Sequence, residues 1–523
     1  FGNRAAGVSV TFAITEGGGS LTDATVETDV SGVAQVGSWT LGTGVGANAM
    51  SATVAGLTPV TFTATAAPGA ATQLQINAGN NQSVLAGTDV PAAVSVMAQD
   101  AFGNGVAGVE VVFSVASGGG SVTGSSQTTD ATGVATLGSW TVGGAAGVNT
   151  LEANAASIPD MVTFSATGLV GSASAMSLDA GDAQTDTVGA TLPTEYSVRV
   201  VDVNTNGVSG IPVSWTVTGG GGTITASSVT DVDGFATATR ELGETAGAQV
   251  ATAAVGGLTG SPVTFNATAT PGAPADVALD GGDAQTATVA TAVTTDPSVL
   301  VTDQFGNGIA GETVTFAITG GGGSVTGAAQ VTDASGIAQV GSWTLGTAAG
   351  ASNNAMSATV AGLKPVTFTA TATAGAPASV TLFSGEGQTQ ITGGAVTNNP
   401  TVEVDDAFGN PVAGVTVNFS ASGSGAPGSP SDVTNASGVA ATTWTVDVGG
   451  HVLATDGTFE NTLSVSVAAL NTAFTAYAIY SYESDVYPLW TAEGCTGCHQ
   501  GASPTGGMNL DGSSADTYAA LLS

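Results

Sequence analysis

Short stretches of this chain alternate between apolar and polar residues. In Thr313-Val-Thr-Phe-Ala-Ile-Thr319, Val314, Phe316 and Ile318 fall on one face, and in Val366-Thr-Phe-Thr-Ala370 so do Val366, Phe368 and Ala370. A period of two sends successive side chains to opposite faces of a strand. Each stretch therefore reads as a strand with one buried face, as in an antiparallel sandwich. Glycine runs at 219–222 and 320–323 break the alternation and read as loops.

The pattern recurs. Asp100-Ala-Phe-Gly-Asn104 returns as Asp303-Gln-Phe-Gly-Asn307 and Asp406-Ala-Phe-Gly-Asn410, with the variant Asp202-Val-Asn-Thr-Asn206 between them and the tail of another copy at Phe1-Gly2-Asn3. Asn3, Asn104, Asn206, Asn307 and Asn410 are thus spaced by 101, 102, 101 and 103 residues. Trp39, Trp140, Trp343 and Trp444 keep the same phase, and Arg240 stands in the tryptophan slot of the third copy. A second mark precedes each of these positions: Thr28-Asp29…Gly32, Thr129-Asp130…Gly133, Thr230-Asp231…Gly234, Thr332-Asp333…Gly336 and Thr434-Asn435…Gly438. Asp or Asn followed by Gly is turn chemistry, and calcium binding at these carboxylates is the alternative.

About seven short strands per ~100 residues is the density of an immunoglobulin-like sandwich. The fold class is therefore mainly β, as tandem sandwiches in a stiff rod with short Pro-containing linkers. The expected domains are a partial sandwich at 1–67, whole ones at 68–169, 170–270, 271–373 and 374–469, and a separate tail at 470–523. Phe1 falls inside a repeat, so the chain is expected to be a segment of a longer one, with any export signal upstream. The first repeat then has an open sheet edge, which strand addition from a second copy would complete. The tryptophans are expected to be core packing, and Arg240 a partly exposed substitute. Trp215 occupies the strand position of Phe113 and Phe316. The acidic pairs Asp179/Asp182 and Asp280/Asp283 read as solvated turns.

The order Pro-Gly-Ala-Pro, Asp-x-Phe-Gly-Asn, Val-x-Phe, glycine-rich loop and Thr-Asp-x-x-Gly-x-Ala resembles the bacterial Ig-like (Big-1-like) repeats of invasin/intimin-type surface proteins, over roughly residues 1–469. The resemblance implies export to the outside of a bacterial cell. It also implies a mostly structural role, with adhesion in terminal domains.

Charge narrows the function. Against 39 acidic residues stand four basic ones, for a net charge of −35. A nucleic-acid ligand would need clustered Lys and Arg, and no apolar run is long enough to span a bilayer. Residues 1–469 hold one histidine, His451, and no cysteine, so no catalytic constellation is visible there.

The tail differs. Tyr477, Tyr480, Tyr482, Tyr487 and Trp490 crowd before Cys495-Thr496-Gly497-Cys498-His499, which contains the only two cysteines of the chain. C-x-x-C-H is the attachment pattern of c-type haem: the two thiols form thioethers with the haem vinyl groups, and the adjacent imidazole is placed as proximal ligand. A Cys495–Cys498 disulfide or redox dithiol, and a zinc site, are the alternatives. The flanks, with Gly507-Met508-Asn509-Leu510 following the motif, resemble the start of a cytochrome c domain. That resemblance implies a small α-helical segment with a helix at 516–522. Met508 and His451 are the candidate distal ligands. The first reading is thus an extracellular stalk or filament carrying haem c for electron transfer, with an unidentified redox partner. An adhesin with an ancillary haem and a peroxidase-like haem enzyme are the alternatives.

Overall fold

The computed structural model describes residues 1–449 and 458–480. They fall into two compact units, Phe1–Thr270 and a second beginning at Pro271. All the regular structure among them is β. The expected helical segment, and with it Cys495, Cys498, His499, Met508 and His451, lies outside the described residues.

The second repeat serves as the template. Its strands are β1 (Gln73–Ala78), β2 (Gln82–Leu85), β3 (Ser95–Gln99), β4 (Glu110–Ser117), β5 (Gly120–Thr123), β6 (Ser126–Thr128), β7 (Val134–Thr136), β8 (Ser139–Val142), β9 (Gly147–Ala155) and β10 (Ile158–Leu169). One sheet has the order β6-β4-β9-β10-β2, a second β7-β3-β1, and β5 pairs with β8. Pairing is antiparallel except for β2, which lies parallel to the end of β10 with Gln82 opposite Ala166. The third, fourth and fifth repeats have the same three sheets.

The alternation in sequence becomes the core. Val111 and Phe113 of β4 point inward with Leu151 of β9 and Phe164 of β10, against Val96 and Ala98 of β3. Corresponding clusters fill the other repeats. Trp140, Trp343 and Trp444 are fully buried, as their spacing predicted. Trp215 faces Ala253 across its strand pair as Phe113 faces Ala153, so the aromatic exchange inferred from the sequence holds. The glycine run after β4 is required at Gly120: with φ +89°, an added Cβ would lie 2.1 Å from the carbonyl oxygen of Thr141.

Two expectations are corrected. Arg240 is not partly exposed but 1% accessible. Its guanidinium donates to the carbonyl oxygens of Gly221 (2.6 Å), Thr223 (3.1 Å) and Glu241, and to Gln249 Oε1 (3.3 Å). Backbone acceptors thus satisfy most of a charge that would otherwise be costly to bury. Burial lowers the Arg240 pKa and raises that of the neighbouring Tyr196 phenol. The second correction is the boundary at 469. The strand Leu470–Ile479 belongs to the fifth sandwich, antiparallel to Phe459–Val467 and parallel to Gln388–Ile391, with Phe474, Ala476 and Ala478 fully buried. Tyr477 hid this last strand, because its aromatic ring looked like the start of a new composition.

The first repeat has one four-stranded sheet and a separate two-stranded pair, Gly19–Thr22 with Ser38–Leu41. Its last strand, Val60–Ala66, pairs only with Gly46–Thr53. Phe62 is 43% accessible, whereas its counterparts Phe164, Phe265, Phe368 and Phe474 are at 0%. An open cavity of about 430 Å3 lies over Val10, Phe12, Ala52 and Phe62.

Replacing Trp343 by alanine removes a fully buried indole from the fourth core. It should lower that repeat's stability by about 3–5 kcal/mol. Denaturant-dependent hydrogen exchange of its core strands should detect the loss while leaving the second repeat unchanged.

Candidate functional site

The most elaborate polar chemistry among the described residues lies where one repeat meets the next. It begins with a buried asparagine. Asn149 sits on the core face of β9, yet its side chain accepts from Gly143 N (2.8 Å) and donates to Gly147 O (3.2 Å). It thereby fixes the loop between β8 and β9. Asn48 holds the same loop in the first repeat through Gly42 N and Gly46 O, Asn354 bonds Gly346 N in the fourth, and Gln249 bonds Gly243 N and Thr245 O in the third. A buried amide left unsatisfied would be destabilising, so the loop conformation and the core are tied together.

The following repeat reads this loop with the Asn of the Asp-x-Phe-Gly-Asn turn. Asn104 Nδ2 donates to Thr43 O (2.7 Å), and its Oδ1 accepts from Val45 N (3.2 Å). Asn206 contacts Gly144 O (2.9 Å) and Ala146 N (2.7 Å) in the same way. In the second unit, Asn410 contacts Thr347 O (2.8 Å) and Ala349 N (2.7 Å). One side-chain amide thus matches a backbone acceptor and donor two residues apart. Because only backbone is contacted, the asparagine does not read the side chains at those two positions, whereas the preceding Gly42, Gly143 and Gly346 leave no room for a Cβ.

The Asp of the turn positions the amide. Asp100 Oδ1 accepts from Phe102 N and Asn104 N, both at 2.9 Å, and Oδ2 accepts from Gly69 N (3.0 Å) and Asn104 Nδ2 (2.8 Å). Gly69 lies in the linker, so one carboxylate secures the turn, the linker and the reading amide. Asp202, Asp303 and Asp406 repeat the arrangement with Gly171, Gly272 and Gly375. The Asn104 amide, helped by the backbone N–H donors, brings the Asp100 carboxyl down to about 2. At Asp406 burial pushes upward, but donation from Gly375 and Asn410 outweighs it and the pKa is again about 2.

The second sequence mark is local. Asp130 Oδ1 accepts from Thr132 N (2.8 Å) and Val134 N (3.0 Å), and Asp333 does the same with Ser335 and Ile337. Asn435 makes equivalent bonds to Ser437 N and Val439 N with a neutral amide, so the turn does not depend on charge. Asp182 and Asp283 accept from Asn266 N and Thr369 N, both at 2.7 Å, and so tie their turns to the last strand of each sandwich. Among the described residues no group of three or more His, Cys, Asp or Glu is placed to hold a metal ion, and no helix is long and apolar enough to cross a membrane.

The haem-motif residues Cys495, Cys498 and His499 and the candidate distal ligands Met508 and His451 lie outside the described residues. Sequence reasoning missed the junction. Its available signal was a polar residue at a core-facing position, Asn48, Asn149, Asn354 and Asn461, recurring in every repeat except as Gln249.

Fold and site together define tandem Ig-like sandwiches joined by backbone-reading amides. No protein-family model matches the chain, and no curated protein does. Among solved structures it is similar to FdeC, an adhesin of Escherichia coli, at 19% identity over 58% of this chain and 98% of that one, with a TM-score of 0.36. It is also similar to invasin, a bacterial integrin-binding protein, at 16% identity over 78% and 79%, TM-score 0.35. The extracellular domain of protocadherin γB4 matches at 12% identity over 91% and 78%, TM-score 0.39.

Acid should loosen these junctions. A carboxylate with a depressed pKa contributes stability above its ordinary value of 3.8, and loses it as pH falls toward about 2. Amide resonances of Gly69, Phe102 and Asn104 should therefore shift together across that window. The response should vanish in Asp100→Asn, and a flat profile in the unaltered protein would rule out the carboxylate's role. Asn410→Ala removes both contacts to the fourth repeat and should weaken that junction by about 1–3 kcal/mol, read as faster exchange of the Ala349 amide.

Proposed function

We propose that this chain is an extracellular, bacterial cell-surface spacer that displays a covalently attached haem c. The observation that carries the spacer reading is the recurring junction. The same amide contact, backed by the same carboxylate, holds successive repeats at Asn104 and Asn206 in one unit and at Asn410 in the other. A chain that spends a buried carboxylate on each linker constrains domain orientation, as a spacer must. Composition suits a stalk: a strongly acidic chain with few basic residues stays soluble and repels its neighbours.

The donor set supports haem. Cys495 and Cys498 have the spacing that thioether attachment needs, and His499 follows directly to serve as proximal ligand. Met508 or His451 is the distal ligand in this reading. The group, when bound, carries one electron. An unidentified redox partner completes the reading, in which electron transfer, not substrate turnover, is the role.

A pyridine haemochrome spectrum of the full chain, produced with a cytochrome c maturation system, tests it. A c-type spectrum lost in both Cys495→Ala and Cys498→Ala is expected. Absence of haem in the unaltered chain would leave only the spacer, and with it the adhesin alternative. A high-spin ferric spectrum would favour haem enzymology over electron transfer.

A further inference from the structure

The third repeat departs from the others in its turn, and the departure faces the second repeat. Asp202-Val-Asn-Thr-Asn206 places Asn204 where the other whole repeats have Phe102, Phe305 and Phe408, and Thr205 where they have glycine. Asn204 Nδ2 donates to Ala86 O across the junction at 2.8 Å, in addition to the two contacts of Asn206. Phe102 and Phe408 at the equivalent place are 68% and 51% accessible. We propose that the junction between the second and third repeats is an order-specific double lock, whose fitting surface is the pair of second-repeat loops carrying Ala86-Gly87 and Gly143-Gly144.

Both sides are matched. Gly87 N donates to Gly143 O (2.9 Å), so the two loops form one surface. A Cβ on Gly87 would lie 3.2 Å from Asn204 Nδ2, and one on Gly144 would lie 3.7 Å from its Oδ1. The fourth repeat, which precedes a Phe408 turn, carries Ala290 and Thr347 at these two positions, and the first repeat has Thr43 in place of Gly144. On the other side, Thr205 has φ +69°, an unfavourable conformation for a β-branched residue, where Gly103, Gly306 and Gly409 adopt positive φ without cost. Strain of this kind persists where the surroundings hold it, and here Asp202 Oδ1 holds both Asn204 N (2.8 Å) and Asn206 N (2.9 Å). The second junction therefore makes three hydrogen bonds between repeats where the first and the last make two each. The first and last junctions read backbone alone through Asn104 and Asn410. This one also favours a preceding repeat with glycine at position 87, where an added Cβ would crowd Asn204 Nδ2 at 3.2 Å; at Gly144 the 3.7 Å is ordinary contact.

The inference rests on the spacer reading, and hydrogen exchange of the full chain separates the two. The reporters are the amides that bond the clamp asparagines: Ala146 for this junction, Val45 and Ala349 for the controls. Asn204→Ala should raise exchange at Ala146 roughly five- to tenfold and leave Val45 and Ala349 unchanged. The triple change Val203→Ala, Asn204→Phe and Thr205→Gly installs the turn used by the second and fifth repeats and should do the same. It guards against an effect of misfolding. Gly87→Ala should loosen Ala146 in the unaltered chain and add nothing in Asn204→Ala. Unchanged protection of Ala146 in Asn204→Ala and in the turn exchange would overturn the lock. So would an equal effect of Gly87→Ala in both backgrounds, because it would then act only through its own φ of +75°. Rapid exchange of all three reporters in the unaltered protein would instead defeat the spacer reading.

Discussion

The junctions depend on a carboxylate with no spare valence. Four N–H donors surround Asp100, two on each oxygen, drawn from the turn, the linker and the reading amide. Removing water from a carboxylate is costly unless its lone pairs are met, so this group tolerates burial only in one arrangement of three chain segments. The linker cannot drift from the turn without exposing an unmet charge. Orientation between repeats follows from the same constraint, since the amide that meets the preceding loop is also held by the carboxylate.

A second polar group gives that amide something definite to meet. Asn149 is buried within a strand whose neighbours Leu151 and Ala153 are core, and its side chain is satisfied only when the Gly143–Gly147 loop is formed. Sandwich stability is thus transmitted to the loop, and through the loop to the next repeat. The third repeat shows how far this design tolerates change. Gln249 takes over from asparagine, Arg240 from tryptophan, Tyr196 from Val94 and Trp215 from phenylalanine. Tyr196 stacks on Phe265 at 4.4 Å, and Trp215 finds Ser228 for its indole N–H. The loop is still held by Gln249 at Gly243 N.

Much of this was legible along the chain. The period of two located strands such as Thr313–Gly320, because a half-buried sheet leaves no other pattern. The tryptophan phase located the core, and glycine located the turns. What escaped had its partners in the backbone of another segment. Arg240 looked exposed because a charged residue in an apolar slot has no visible acceptor in sequence, whereas its acceptors are carbonyls of Gly221, Thr223 and Glu241. Asp100 and Asn104 marked the repeat without disclosing the contact, since Thr43 and Val45 are read through main-chain atoms that any residue would offer. The strand Leu470–Ile479 was obscured by Tyr477, although Thr472-Ala-Phe-Thr-Ala476 follows the alternation of Val366-Thr-Phe-Thr-Ala370.

Charge explains why the junctions use amides. With 39 acidic residues and four basic ones, the chain has almost no cations to pair across a boundary. Arg240 is buried within its sandwich, and Arg199 donates to Asp233 O within its own repeat and lies over the ring of Phe235. Ion pairing between repeats would have required more Lys and Arg, and at an exposed boundary would have contributed little and weakened with salt. A neutral amide facing a carbonyl and an N–H adds no charge to a surface that already repels itself, and its hydrogen bonds are largely indifferent to ionic strength. The same scarcity of cations leaves anionic partners poorly served along the repeats.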